Sequence, residues 1–174
     1  HNRVRDMKGL EDITYTLSDD ATLITRKHEN PYSFYGYQTN DVYSTTIEAN
    51  TAYTDADGNK KALVNDKGVA YQAGDVRFVD QNGDGKIDAD DRVVLGSATP
   101  KAFGSFFTRF EYKNFALDLD FGYQWGGKAY NAMRRITESG KDFSNQAVSM
   151  TRRWSMEGQI TDMPRAEWGD PRGN

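Results

Sequence analysis

From Phe115 to Trp125 the chain alternates without a break. Phe115, Leu117, Leu119, Phe121, Tyr123 and Trp125 are apolar, while Ala116, Asp118, Asp120, Gly122 and Gln124 are small or polar. Strict period two over eleven residues specifies a β-strand with two unlike faces, because successive side chains on a strand point to opposite sides. The preceding run, Ala102–Tyr112, has the same length. A turn at Lys113-Asn114 joins the two and sets Tyr112 opposite Phe115, which fixes every further pair. Phe110 then meets Leu117, Thr108 meets Leu119, Phe106 meets Phe121, Gly104 meets Tyr123, and Ala102 meets Trp125. On the other face Arg109 falls opposite Asp118, with Asp120 in diagonal reach, so charges and aromatics sort consistently. A slip of one residue would drive Asp118 and Asp120 among the aromatics.

Such a hairpin fits two surroundings: a core on one side and water on the other, or lipid on one side and a polar lumen on the other. Tyr112 near the turn, and Tyr123 and Trp125 at the far end, favour lipid, because interface girdles place Tyr and Trp there. Eleven residues is also about the length of a tilted strand that crosses a bilayer. On that reading Phe106, Phe110, Leu117, Leu119, Phe121 and Tyr123 face lipid, and Arg109, Asp118 and Asp120 face the lumen. The composition agrees: 37% of residues are hydrophobic, 13% are aromatic, and the mean hydropathy is −0.82. No run approaches the roughly 18 apolar residues of a membrane helix. A short helix is predicted over 142–154, where Phe143, Ala147, Met150 and Trp154 share a face.

A second pattern lies at residues 80–91. Asp80, Asn82 and Asp84 stand at positions one, three and five of a calcium-type loop. Gly85 supplies the sharp turn at six, Lys86 a carbonyl at seven, and Asp88 a direct or water-borne ligand at nine. Asp91 closes the set with a shorter arm than the usual Glu, and Ile87 anchors the loop in packing. The flanks, Val76-Arg77-Phe78-Val79 and Arg92-Val93-Val94-Leu95, read as strands, so the loop sits outside any helix pair. One structural Ca²⁺ is the expected cofactor, the ion-free alternative being a connection rich in Asx turns.

Little in the sequence supports catalysis, and no catalytic residue is assigned. The histidines are His1 and His28, and neither a Gly-x-Ser-x-Gly elbow nor a His-Glu-x-x-His pair is present. A net charge of −4 argues against a nucleic-acid partner. With no cysteine there is neither disulfide nor thiolate chemistry. The chain opens at His1 without an apolar leader, which reads as a mature form or an excised piece.

Four stretches together resemble the SusC/RagA family of TonB-dependent outer-membrane proteins. They are Ser33-Phe34-Tyr35-Gly36-Tyr37, the block from Gly74 to Asp80 running into the loop, the hairpin around Tyr112-Lys113-Asn114-Phe115, and Thr161-Asp162-Met163-Pro164-Arg165-Ala166 with Gly169-Asp170-Pro171. The resemblance implies an all-β fold: a fragment of a transmembrane antiparallel β-barrel near its C-terminal part, with one membrane hairpin at 102–125. Residues 1–101 and 126–174 become long extracellular regions, the second carrying the short helix. It further implies an importer of large nutrients, glycans or peptides, in the outer membrane of a Gram-negative cell. A SusD-like surface lipoprotein and TonB are the implied partners, with TonB engaged through parts absent from this stretch. The rival expectation is a soluble calcium-dependent carbohydrate-binding module that uses exposed Trp and Tyr as stacking surfaces.

Overall fold

The computed structural model describes residues 3–18 and 21–173; His1 lies outside them. In chain order the strands are β1 (Ile13–Ser18), β2 (Ala21–Thr25), β3 (Ser33–Tyr37), β4 (Thr39–Val42), β5 (Tyr53–Thr54) and β6 (Lys60–Lys61). They continue with β7 (Val64–Asn65), β8 (Val76–Phe78), β9 (Lys86–Ile87), β10 (Arg92–Ser97), β11 (Ala102–Tyr112) and β12 (Phe115–Trp125). Two helices, α1 (Thr46–Asn50) and α2 (Ala132–Glu138), and 3₁₀ turns at Ala89–Asp91 and Val148–Arg152 complete the elements. The chain divides into two compact units, 1–35 with 94–130, and 36–93 with 131–174.

In the first unit, β1 and β2 pair antiparallel, with Ile13 opposite Thr25. The sheet order is β1-β2-β3-β10, and Leu23 and Ile24 of the central strand are buried. Strands β11 and β12 form a sheet of their own, in the register derived above from Ala102↔Trp125 to Tyr112↔Phe115. At the turn Lys113 takes a left-handed φ of 53°.

The second unit has a core of Tyr43, Ala49, Leu63, Tyr71 and Ile87, against which Tyr37, Tyr53 and Phe78 pack. Burial, ahead of the nearby Asp75 charge, raises the Tyr71 hydroxyl pKa well above its ordinary value. Helix α1 is capped at Thr45, whose side chain accepts the Glu48 N–H, while the Glu48 carboxylate takes the Ser44 N–H at 2.9 Å.

Among the described residues every sheet is open, one of four strands and the others of two. None closes on itself, and this overturns the expected fragment of a transmembrane β-barrel. Closure needs about eight strands, each paired on both edges, whereas β11 and β12 pair only with each other. An open ribbon encloses no lumen. The importer role, nutrient transport and embedding in the outer membrane all rested on that closure, and they fall with it. No helix among the described residues is long and apolar enough to cross a membrane.

The helix expected over 142–154 is also displaced. The α-helix forms at Ala132–Glu138, started by Asn131, whose side chain accepts the Arg134 N–H, and braced by an Arg134–Glu138 pair at 2.6 Å. Downstream, the Asp142 Oδ1 accepts the Ser144 N–H at 2.8 Å, an Asx turn that competes with helix formation. Ala147 is extended and donates its N–H to Thr137 O at 2.9 Å, so only a 3₁₀ turn follows. Of the expected stripe Met150 is buried, while Phe143 points into water.

Candidate functional site

The loop at 80–91 is folded by its own side chains. Asp80 accepts the Gly83 and Gly85 N–H groups at 2.7 and 2.8 Å, one on each oxygen. Asn82 Oδ1 accepts the Asp84 N–H at 3.0 Å, and Asp84 Oδ1 the Lys86 N–H at 2.8 Å. Gly85 adopts φ +84°, as the sixth position requires. Ile87 is buried in the second unit's core, and β9 pairs in parallel with β7, Val64 to Lys86 and Asn65 to Ile87. The motif's packing anchor and its turn are therefore both in place. Both flanks are strands, β8 and β10.

The remaining two assigned ligands serve the backbone. Asp91 is 0% exposed, and its oxygens accept the Gln81 and Asp88 N–H groups at 2.8 and 2.9 Å, tying both ends of the loop. Asp88 caps the 3₁₀ turn through the Asp90 N–H at 3.0 Å and pairs with the Lys86 ammonium at 3.2 Å. The Asp90 N–H first, and the Lys86 contact after it, hold the Asp88 carboxyl below its ordinary value. Among the described residues no three acidic, His or Cys side chains converge into a metal-sized cluster. The donor set here is of mixed type, Asp80, Asn82, Asp84 and the Lys86 carbonyl, all hard oxygens. Each carboxylate oxygen that accepts one N–H keeps a further lone pair, so the set fits a hard cation such as Ca²⁺.

The hairpin sorts its residues as the register dictates. Phe106, Phe110, Leu117, Leu119, Phe121 and Tyr123 share one face, and Arg109, Asp118 and Asp120 the other. The first six are exposed except for Leu119, which is half-buried. Tyr123 lies across Gly104, where a Cβ would come within 2.8 Å of its hydroxyl. Arg109 sits 2.7 Å from Glu111 and 3.5 Å from Asp118, so its nearer partner is Glu111, on the same strand. The polar face also carries Phe103 and Phe107, with Phe107 directly opposite Asp120. Reading only β12 for polarity missed them.

A further cluster in the second unit escaped the sequence reading. Asp75 is 0% exposed and lies between Arg165, at 2.9 Å, and Arg172, at 3.3 Å. The Arg165 Nε N–H is not aligned for a hydrogen bond to it, so charge carries that contact. Glu167 bridges the same two arginines at 2.8 and 2.5 Å. Beside this cluster Gly74, at φ +85°, lies against the Trp154 ring, where a Cβ would come within 2.5 Å. Trp154 Nε1 donates to Ser44 O at 3.1 Å. The signal available in the sequence was the joint presence of the 74–80 block and the 161–171 segment, which the fold brings together through the Arg165 N–H to Gly74 O bond of 2.8 Å.

No protein-family model matches the sequence. Three proteins of Formosa agariphila, each described as a TonB-dependent receptor, are similar to it. One is 31% identical over 145 residues, which is 83% of this chain and 13% of that protein. The second is 36% identical over 95 residues, 53% of this chain and 9% of the relative. The third is 31% identical over 99 residues, 55% of this chain and 10% of the relative. The chain is thus homologous to TonB-dependent receptor family proteins, and it spans about a tenth of their length.

Proposed function

We propose that this chain is a non-catalytic, calcium-stabilised carbohydrate-binding module in a polypeptide of the SusC/RagA branch of the TonB-dependent receptor relatives. The observation that supports it is the loop at 80–91. Its Asx side chains are prearranged in calcium-loop order, and Ile87 roots it in the core of a unit that also exposes aromatic rings. A bound ion would stiffen the loop by crosslinking the side-chain oxygens of Asp80, Asn82 and Asp84, leaving less disorder for ligand binding to remove. The ligand is a glycan, and the protein partner a SusD-like surface lipoprotein. TonB contact is assigned to no residue of this chain.

The test is calorimetry with Ca²⁺ on the chain and on Asp84→Ala. Affinity electrophoresis through gels containing soluble starch, laminarin or xylan follows, with Ca²⁺ and after chelation. Calcium binding that Asp84→Ala abolishes, with glycan retardation that weakens on chelation, is the expected pair of results. Absence of retardation in every gel would sink the reading.

A further inference from the structure

In the second unit, Phe143 is 94% exposed and Trp168 is 69% exposed, yet their rings touch, with centroids 4.8 Å apart and planes inclined at 49°. Rings of this size normally go to cores or to contacts. Both stand on pinned turns. The Asp142 Oδ1 bond to the Ser144 N–H, 2.8 Å long, closes the turn that carries Phe143. Around Trp168, the Asp170 N–H donates to Glu167 O at 3.2 Å, and Arg165 and Arg172 hold the Glu167 carboxylate. Gly169 N–H donates to Lys141 O at 3.0 Å and ties the two turns together. A ligand that lands on this pair has little backbone left to order.

The chemistry of the pair selects among occupants. Two aromatic side chains offer at most roughly 300–500 Å² of burial, short of the roughly 800 Å² per partner that a stable protein interface takes. Lys141 and Asp142 beside the rings cancel in charge, so neither an anionic lipid surface nor a polyanion is favoured. The neighbours Asp142, Ser144 and Asn145 are exposed and polar. A pyranose matches that surface, with an aliphatic C–H face to lie on a ring and a rim of hydroxyls to donate to carboxylate and amide oxygens. We propose that Phe143 and Trp168 form a stacking subsite for neutral pyranose units of a glycan. This inference rests on the carbohydrate-binding reading above and gives it a location.

The experiment uses the full chain with Ca²⁺ in gels of soluble starch and laminarin, both neutral, with alginate as the anionic control. Trp168→Ala and Phe143→Ala should each weaken retardation by about tenfold or more in apparent Kd. Trp168→Phe should retain most of it. The circular dichroism and the calcium isotherm of each variant should stay unchanged. Retardation of wild type that survives both alanine variants overturns the subsite and leaves the carbohydrate-binding function standing. Failure of wild type itself to be retarded by any polysaccharide overturns the function, and the subsite with it. Stronger binding to alginate than to the neutral chains overturns the choice of sugar.

Discussion

Gly85 shows how closely one position can be specified. Its φ is +84°, and a Cβ there would come within 2.7 Å of the Tyr53 ring, so both backbone and packing exclude a side chain. Gly85→Ala should cost about 1–3 kcal/mol in urea unfolding and weaken calcium binding measured by calorimetry. Asp75 is the opposite case, a charge whose burial depends on distant partners. Asp75→Ala should cost about 1–3 kcal/mol, because it leaves Arg165 and Arg172 to Glu167 alone and takes the acceptor from the Gln72 N–H; the midpoint of chemical unfolding measures it. Gly85 and Ile87 were legible in the sequence because the loop motif gives each position a local duty. Asp75 was not legible, since nothing within its own stretch reveals that Arg165 and Arg172 arrive to cover it.

The hairpin formed by β11 and β12 was legible in every pair, because alternation and turn length together permit a single register. What covers its faces was not legible. Alternation states that two sides differ and says nothing about closure, which depends on strands elsewhere. The missed helix has a different cause: four apolar residues at helical spacing outvoted Asp142 and Ser144, which prefer a turn. The local signals for α2, Asn131 as cap and Arg134 four residues before Glu138, were present and went unused. At the hairpin turn Lys113 holds φ 53°, a conformation that strains a residue bearing a Cβ. Lys113→Gly should raise stability by about 0.5–1 kcal/mol in thermal unfolding, with the cross-strand register unchanged by NMR.

On the scale of the whole molecule, Phe106, Phe110 and Phe121 stand exposed on one ribbon face, and both ribbon edges are open. Contiguous apolar surface beside unpaired strand edges is an association hazard. Sedimentation velocity should therefore show self-association that rises with concentration, and the triple variant Phe106→Ser, Phe110→Ser, Phe121→Ser should sediment as a monomer. The second unit raises another matter, because it is assembled from two separate stretches, 36–93 and 131–174. Its bonds from Ser44, Thr46, Gln72 and Ala70 reach partners 110, 111, 93 and 102 positions away. Contacts of such sequence separation slow folding, since the intervening chain must be confined before any of them is made. On a ribosome, Asp75 emerges long before either arginine, and enclosing it without them would put a carboxylate with neither arginine beside it in a dry interior. The calcium-type loop is therefore born beside an unfinished core, and the nascent chain must wait for residues 165–172 before that unit can consolidate.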